Sequence, residues 1–303
     1  MNQIFRIETI SQLNDVLKLE KPRHPLITIA DLSKVNEDDY SNMKLMAGFY
    51  SIFLKNINCG KLKYGRQNYD FQEGTLVFIA PEQVLEVEPN TENTDSTINS
   101  WGLFFHPDLI KGTSLGTKIK LYTFFSYDSN EALHLSDKER EIINDIVHKI
   151  DYELSQNIDK HSQNLIVSSL DLLLNYCLRF YDRQFITRSL GNRDILSRFE
   201  SFLSEYCQSE SLKENGLPTV KLCAEKLNLS PNYLSDLLKK ETGKNTQEHI
   251  HYYLIEEAKN KLLISNDRIN EIAYELGFEY PQYFSRIFKR HTGQTPAEYR
   301  DLN

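Results

Sequence analysis

The spacing of hydrophobic residues divides the chain near residue 136. Before that point, short runs rich in aromatic and β-branched residues alternate with turn residues, a pattern typical of β-strands. Several short strands this close together favour a sandwich or a barrel. The predicted strands lie within residues 48–55, 61–71, 75–80 and 96–105.

From Ser136 onward, the apolar residues recur with the period of an α-helix. Ser136 and Glu139 have the spacing of a capping box, which marks a helix start. A longer amphipathic stretch runs from about 159 to 186, and residues 188–194 have the composition of a linker. From residue 195 the pattern predicts helices and short turns throughout.

The C-terminal third of the chain contains an internal repeat, in which residues 222–250 align with residues 271–300. Each copy reads as an amphipathic helix, a turn and a second helix, which is the pattern of a helix-turn-helix. In the first copy, Ser230 and Pro231 are the expected N-cap and first residue of the second helix, and Gly243 is expected to end it. The second copy has matching signals at Gly277, Pro281 and Gly293.

The segment between the two copies, Thr246 to about Leu263, is predicted to be one helix. At ~1.5 Å per residue it is roughly 27 Å long. Such a helix would hold two recognition helices about one turn of DNA apart, so one chain would read two adjacent major-groove segments.

Helical spacing exposes a polar stripe on the second helix of each copy, which we interpret as the surface that contacts DNA. In the second copy this stripe lies opposite an apolar face formed by Phe284, Ile287 and Phe288. The candidate DNA-contacting residues are Asn232, Ser235, Asp236 and Lys239 in the first copy and Gln282, Ser285, Arg286 and Lys289 in the second.

The two stripes differ in what they would recognise. Arg286 offers a bidentate fork to guanine, and Gln282 offers a bidentate pair to adenine. Asp236 would repel phosphate, so it is expected either to accept a hydrogen bond from cytosine or to pair with a lysine on its own helix. We therefore predict an asymmetric reader in which Arg286 contributes more than Asp236.

Residues 195–303 resemble the C-terminal domain of the AraC/XylS family of bacterial transcription regulators. The strongest match is INEIAYELGFEYPQYFSRIFKRHTGQTPAEYR at 269–300, and LSPNYLSDLLKKETG at 229–243 also fits. Leu254, where the family often has Arg, and Pro281, where a polar residue is common, depart from it. The resemblance implies a transcription activator, with a repressor as the alternative, whose partners are double-stranded promoter operator DNA and RNA polymerase.

Members of this family often have a cupin-type β-barrel before the DNA-binding domain, followed by helices that dimerise. The resemblance thus implies an α+β homodimer with a cupin-like ligand-sensing barrel at 1–135, a helical dimerisation or connecting segment at 136–190, and an all-α domain with two helix-turn-helix motifs at 191–303. Residues 73–84 look like a cupin strand pair. The helix at 159–186 is the candidate dimer seam, with packing onto its own barrel as the alternative.

A barrel of this kind is expected to bind a small-molecule effector. Aromatic walls with an arginine suit a sugar or a small acid. Trp101 in the plain core and Arg66 in a surface ion pair remain alternatives, as does a barrel that senses a protein partner. The candidate ligand-binding residues are Tyr64, Arg66, Gln67, Tyr69 and Trp101.

A cupin enzyme with a helical assembly tail is the alternative from a different functional class. Metal cupins take ligands from an H-x-H motif, and the predicted strands contain none. His106 stands alone at a strand end and His24 lies in a loop, while His249 and His251 are two residues apart on a helix and face apart. We therefore expect no metal, no other cofactor and no enzymatic activity.

Composition and charge refine these expectations. A chain of 303 residues with 40% hydrophobic and 26% charged residues suits two water-soluble domains. No apolar run approaches the ~18–20 residues that span a bilayer, and the first residues lack a signal-peptide pattern, so a cytoplasmic protein without membrane contact is expected. The four scattered cysteines are expected to be reduced and mostly buried.

The net charge of −8 is unusual for a nucleic-acid-binding protein. Residues 193–303 hold 15 Lys+Arg and 17 Asp+Glu, so even the predicted DNA-binding part is slightly acidic. Positive charge is concentrated locally within residues 280–300, where four basic residues stand against Glu298 alone. The placement of charge, rather than its total, supports DNA binding.

Overall fold

A computed structural model describes the chain in six stretches and divides it into two compact units, Met1–Arg188 and Ser189–Asn303. In the described residues, the first unit combines sheets with helices and the second contains helices without strands. Among the described helices, none is both long and apolar enough to cross a membrane. The described stretches are 4–35, 44–55, 74–86, 100–128, 131–209 and 211–302.

The strands of the N-terminal unit form two sheets. The larger is antiparallel throughout, with the order β2-β7-β4-β5-β8; its strands are β2 (Ile27–Asp31), β4 (Tyr50–Lys55), β5 (Thr75–Ile79), β7 (Trp101–Phe105) and β8 (Leu133–His134). The smaller has the order β1-β3-β6, with β1 (Ile4–Ile7) parallel to β3 (Lys44–Ala47), which pairs antiparallel with β6 (Val84–Glu86). Over the residues that the structure describes, neither sheet closes into a barrel.

Three of the predicted strand runs are confirmed, because 48–55, 75–80 and 96–105 contain β4, β5 and β7. The run at 61–71 lies outside the described residues. The expected strand pair within 73–84 is wrong: β5 pairs with β4 and β8, whereas β6 belongs to the other sheet. The chain turns a corner at Glu82, whose φ is +67° and whose N–H donates to the Ala47 carbonyl at 2.8 Å.

Three short helices in the N-terminal unit were not foreseen: α1 (Ile10–Val16), α2 (Pro107–Ile110) and α3 (Ser114–Lys118). Each is too short to reveal a helical period in the sequence. Thr9 and Gln12 close a capping box that starts α1. Buried apolar residues of α1 then pack against the larger sheet through Phe49 and Phe104.

Two long helices follow the sheets, α4 (Asp137–Ser155) and α5 (Ser162–Thr187). The capping box predicted at Ser136 and Glu139 is confirmed. The same glutamate receives a two-pronged hydrogen bond from Arg183 of α5, at 3.2 and 3.0 Å. This largely buried ion pair fixes the start of α4 against α5.

The interpretation of 188–194 as a linker is wrong. Helix α6 (Ser189–Gln208) begins one residue after α5 ends, and Arg188 alone leaves the helical path, with φ −89° and ψ 16°. The segment contains no proline, and its single glycine costs a helix only about 1 kcal/mol.

The C-terminal unit continues with seven helices among its described residues, and the predicted organisation is confirmed. Two helix-turn-helix units, α8–α9 and α11–α12, flank the long helix α10, which packs against helices of both. The helices are α7 (Ser211–Asn215), α8 (Val220–Leu227), α9 (Pro231–Thr242), α10 (Thr246–Ile264), α11 (Ile269–Glu275), α12 (Pro281–Thr292) and α13 (Pro296–Leu302).

Candidate nucleic-acid interface

Local capping interactions set the ends of both recognition helices, α9 and α12. Ser230 caps α9, with its Oγ accepting a hydrogen bond from the Tyr233 N–H at 3.3 Å. Pro231 and Pro281 each occupy the first turn of their helix, as predicted. The predicted helix ends at Gly243 and Gly293 are also confirmed.

The apolar face of α12 is buried as the sequence predicts, with Phe284, Ile287 and Phe288 all in the core. Ala273 of α11 is fully buried, so it allows a close approach of neighbouring helices. Helix α10 buries six residues, including Leu254 and Ala258, and thereby joins the two copies. The two recognition helices are therefore held by one continuous core.

The polar stripe of α12 faces solvent. Gln282, Arg286 and Lys289 are exposed and Ser285 is half-buried. The Arg286 guanidinium lies 5.2 Å from the centroid of the Tyr283 ring. Because a ring face limits the freedom of a guanidinium, this contact orients the fork before any ligand arrives. Sequence reasoning did not assign Tyr283 this role, although its i−3 position relative to Arg286 is a usable signal.

The stripe of α9 is different. Asn232 and Lys239 are exposed, whereas Ser235 and Asp236 are half-buried. The Ser235 hydroxyl lies 3.0 Å from the hydroxyl of Thr246, the buried first residue of α10. Ser235 is thus engaged in holding α9 to α10. The contacts of all eight candidate residues with DNA stay predictions.

Basic residues stand in the last turn of both recognition helices: Lys239 and Lys240 on α9, and Lys289 and Arg290 on α12. A positive charge at a helix C-terminus is favoured by the helix dipole. It also provides the charge that phosphate contacts require. The local concentration of charge read from the sequence therefore has a structural position on each helix.

A pair of histidines lies where α10 meets α12. The ring centroids of His251 and His291 are 6.3 Å apart, and the His251 ring nitrogen Nε2 lies 2.9 Å from Gln247 Nε2. Burial lowers the pKa of both imidazoles, and the charges of the partner histidine and of Arg290 lower that of His251 further. Arg290 and Lys244 act in the same direction on the pKa of His291, while Glu248 opposes them.

Acidification is expected to destabilise the contact between α10 and α12. The folded-state pKa of each histidine lies below its value of 6.5 in the unfolded chain, so the unfolded chain binds protons first as the pH falls. Stability is complete above about pH 6.5 and is lost as the pH falls through the lowered folded-state pKa values. Thermal melting of the wild type and of the His251→Gln/His291→Gln double variant between pH 7.5 and 5.5 measures this effect.

Between pH 7.5 and pH 5.5, the melting temperature of the wild type should fall further than that of the double variant. The control is His161→Gln, which replaces an exposed histidine of the N-terminal unit. Parallel pH profiles for the wild type and the double variant would contradict a role for the histidine pair.

The predicted ligand-binding residues of the N-terminal unit are described only in part, because Tyr64, Arg66, Gln67 and Tyr69 lie outside the described residues. Trp101 is half-buried, and its indole N–H donates to Asn144 Oδ1 of α4 at 2.9 Å. That hydrogen bond holds the indole against α4. A role for Trp101 in ligand binding stays a prediction.

The described residues contain no group of three or more His, Cys, Asp or Glu side chains that could hold a metal ion. His249 and His251 have different neighbours, with His249 Nε2 2.7 Å from Thr242 Oγ1. Burial raises the pKa of the Cys223 thiol to about 12, which disfavours the reactive thiolate.

Comparison with known proteins shows what the C-terminal unit is similar to. A family model described as a helix-turn-helix domain matches residues 223–301. The transcriptional regulatory protein YesN of Bacillus subtilis is 38% identical over 92 residues, which cover 29% of this chain and 25% of that protein. The raffinose operon regulatory protein RafR of Pediococcus pentosaceus is 36% identical over 92 residues, covering 29% of this chain and 33% of that protein.

Among solved structures, the C-terminal domain of the response regulator AraT from Geobacillus stearothermophilus is 31% identical. The match covers 36% of this chain and 85% of that domain, with a TM-score of 0.32. This chain spans between a quarter and a third of the length of YesN and RafR.

Proposed function

We infer that this chain is a sequence-specific DNA-binding transcription regulator, since its C-terminal unit is an AraC-type helix-turn-helix domain. The observation that carries the proposal is the exposed stripe of α12, in which Gln282, Arg286 and Lys289 share one solvent-facing side. A recognition helix places such residues against base edges in the major groove.

The proposed reading mode is bipartite and asymmetric. In α12, Arg286 reads guanine and Gln282 reads adenine, with Ser285 and Lys289 on bases or phosphates. In α9, the exposed side chains of Asn232 and Lys239 make the main DNA contacts. Ser235 and Asp236 are half-buried and contact DNA with the exposed part of their side chains. Helix α10 keeps the two readers about one DNA turn apart.

Selection of duplexes from a random-sequence library by the full chain tests this function. The expected result is one enriched sequence with two conserved elements spaced by about 10 base pairs, bound in preference to random DNA at a fixed salt concentration. Binding without enrichment, or no binding at low salt, would contradict the proposal. The selected duplex is called the operator below.

We propose further that the N-terminal unit, with the cupin-like barrel expected from the sequence, binds a small-molecule effector. A sugar or a small acid is the favoured class, and the raffinose operon in the name of RafR agrees with that choice. An effector should raise the melting temperature of the full chain and change its operator affinity. If the protein is an activator with RNA polymerase as its partner, transcription in vitro from an operator-bearing promoter should rise.

We also propose that α5 forms a homodimer seam. Its buried face packs within its own unit, while Leu165, Leu172 and Ile186 on the opposite face are 53%, 46% and 65% exposed. These residues and Arg179 are spaced seven apart, so they form one row along the helix. The three apolar residues of this row, which Arg179 interrupts, are complementary to the same three residues of a second copy around a two-fold axis.

The double variant Leu165→Glu/Leu172→Glu is expected to dissociate the dimer. Facing carboxylates repel, and the apolar burial is lost, so the dimer dissociation constant should rise at least about tenfold. Sedimentation velocity over a concentration series measures this constant. His148→Glu, on the exposed side of α4, is the control and should behave as wild type; a wild-type chain that is monomeric at all concentrations would contradict the seam.

A further inference from the structure

The second recognition helix begins with a residue that caps it poorly. The repeat aligns Ser230-Pro231 with Tyr280-Pro281, so both helices start on a proline. Ser230 is buried and caps its helix, whereas Tyr280 occupies the N-cap position of α12 and makes no side-chain cap bond. Serine is among the best N-caps. A tyrosine at this position therefore makes the start of α12 less stable than a serine would, and no ring contact of Tyr280 among the described residues offsets this loss.

The ring of Tyr280 is not used in the core. It is 60% exposed, while the nearby rings of Phe278, Tyr283 and Phe284 pack on one another. Among the described residues, no ring contact involves Tyr280. The carboxylate of the adjacent Glu279 raises the pKa of the phenol. The apolar ring of Tyr280 therefore faces solvent.

This ring lies at the N-terminal end of α12. The N-terminal residues of a recognition helix contact base edges, and Tyr280 comes two residues before Gln282. On the basis of the proposed DNA-binding function, we propose that Tyr280 is a further specificity-determining residue, whose ring packs on the C5-methyl group of a thymine in the major groove.

Two features select a thymine methyl over a phosphate as the contact. The methyl group is the apolar feature that the base pairs present in the major groove, and aromatic side chains contact it. The carboxylate of the adjacent Glu279 repels phosphate, which disfavours a phosphate contact by the Tyr280 hydroxyl. A tyrosine also supplies a large contact area with few rotatable bonds, so little entropy is lost on binding.

Tyr280→Ser tests the proposal because its two expected effects have opposite signs. The substitution restores the cap found at Ser230, so the melting temperature of the full chain should rise. The affinity for the operator should nevertheless fall about three- to tenfold, as expected for the loss of one buried methyl contact. Tyr280→Phe keeps the ring and should retain most of the affinity.

Deoxyuridine identifies the contacted base. Replacing thymines of the operator one at a time removes single methyl groups. One replacement should lower the operator affinity of the wild type and of Tyr280→Phe, but should not change the affinity of Tyr280→Ser. Tyr274→Ser is the control, because Tyr274 is 57% exposed but belongs to α11 and stands six residues before Tyr280. It should keep the wild-type response.

The outcomes separate this proposal from the function on which it rests. Suppose that the wild type selects an operator and that Tyr280→Ser binds it as tightly, with the same response to deoxyuridine. That result overturns the role of Tyr280 and leaves the DNA-binding function standing. A wild-type chain that selects no sequence overturns the DNA-binding function itself. Equal losses for Tyr280→Ser and Tyr274→Ser would also overturn the role of Tyr280, since they would indicate a nonspecific effect.

Discussion

Arg286→Ala is expected to weaken operator binding by about 1–3 kcal/mol, or roughly five- to 150-fold in Kd, with little change in stability. The side chain is exposed, and its contact with the Tyr283 ring is worth only about 0.5–1 kcal/mol. A bidentate contact with guanine is lost outright, because alanine offers no donor. Fluorescence anisotropy with the operator and with random DNA, at one salt concentration, measures both affinities.

Arg290→Ala is the matched control on the same helix. Arg290 is also exposed, but it stands in the last turn of α12 and outside the proposed reading stripe. Its loss should weaken operator and random DNA about equally and reduce the salt dependence of binding, as for a phosphate contact. If Arg286→Ala behaves in the same way, with equal losses on both DNAs, Arg286 positions the protein and does not read a base.

The helix-turn-helix units were predictable because their boundaries depend on local chemistry. A hydroxyl at Ser230, a proline at Pro231 and a glycine at Gly243 act within one helical turn of where they stand. Their effect does not depend on distant parts of the chain. The period of the apolar residues then identified which side of α12 is buried, and with it the exposed stripe.

The sheets were less predictable because strand pairing is non-local. The strand runs were recognisable, but the assignment of β5 and β6 to different sheets depends on the corner at Glu82 and its hydrogen bond to Ala47. Neither residue type signals such a corner. The start of α6 at Ser189 was missed for a local reason, because residues 188–194 have the composition of a linker, yet their single glycine is a weak helix breaker.

Within the candidate interface, spacing predicted which side chains face solvent but not what else they touch. The hydrogen bond between Ser235 and Thr246 joins two helices whose relative placement depends on the core. The contact of Arg286 with Tyr283 depends on side-chain rotamers. Both contacts change what is expected of a predicted residue. The hydrogen bond uses the Ser235 hydroxyl within the fold, and the ring contact orients the Arg286 guanidinium.

Gly277→Ala is expected to lower the free energy of unfolding of the C-terminal unit by about 3 kcal/mol. Gly277 forms the turn between α11 and α12 with φ +76°, and a left-handed conformation alone costs a residue with a side chain about 1–2 kcal/mol. A Cβ here would also lie 2.9 Å from the Leu212 carbonyl oxygen and 3.1 Å from the Gly216 carbonyl carbon. Since both are backbone atoms beside α7, relief requires a shift of that helix.

Gly293→Ala separates the two contributions, because Gly293 has φ +82° with no atom within 4 Å of an added Cβ. It should lose only the conformational part, about 1–2 kcal/mol. Urea unfolding of the full chain, followed by circular dichroism for the helices and by fluorescence of Trp101, the single tryptophan, locates the damage. Gly277→Ala should shift the helical transition and leave that of Trp101 in place; equal shifts for the two glycine variants would mean that α7 yields freely, and that its packing does not hold the second helix-turn-helix.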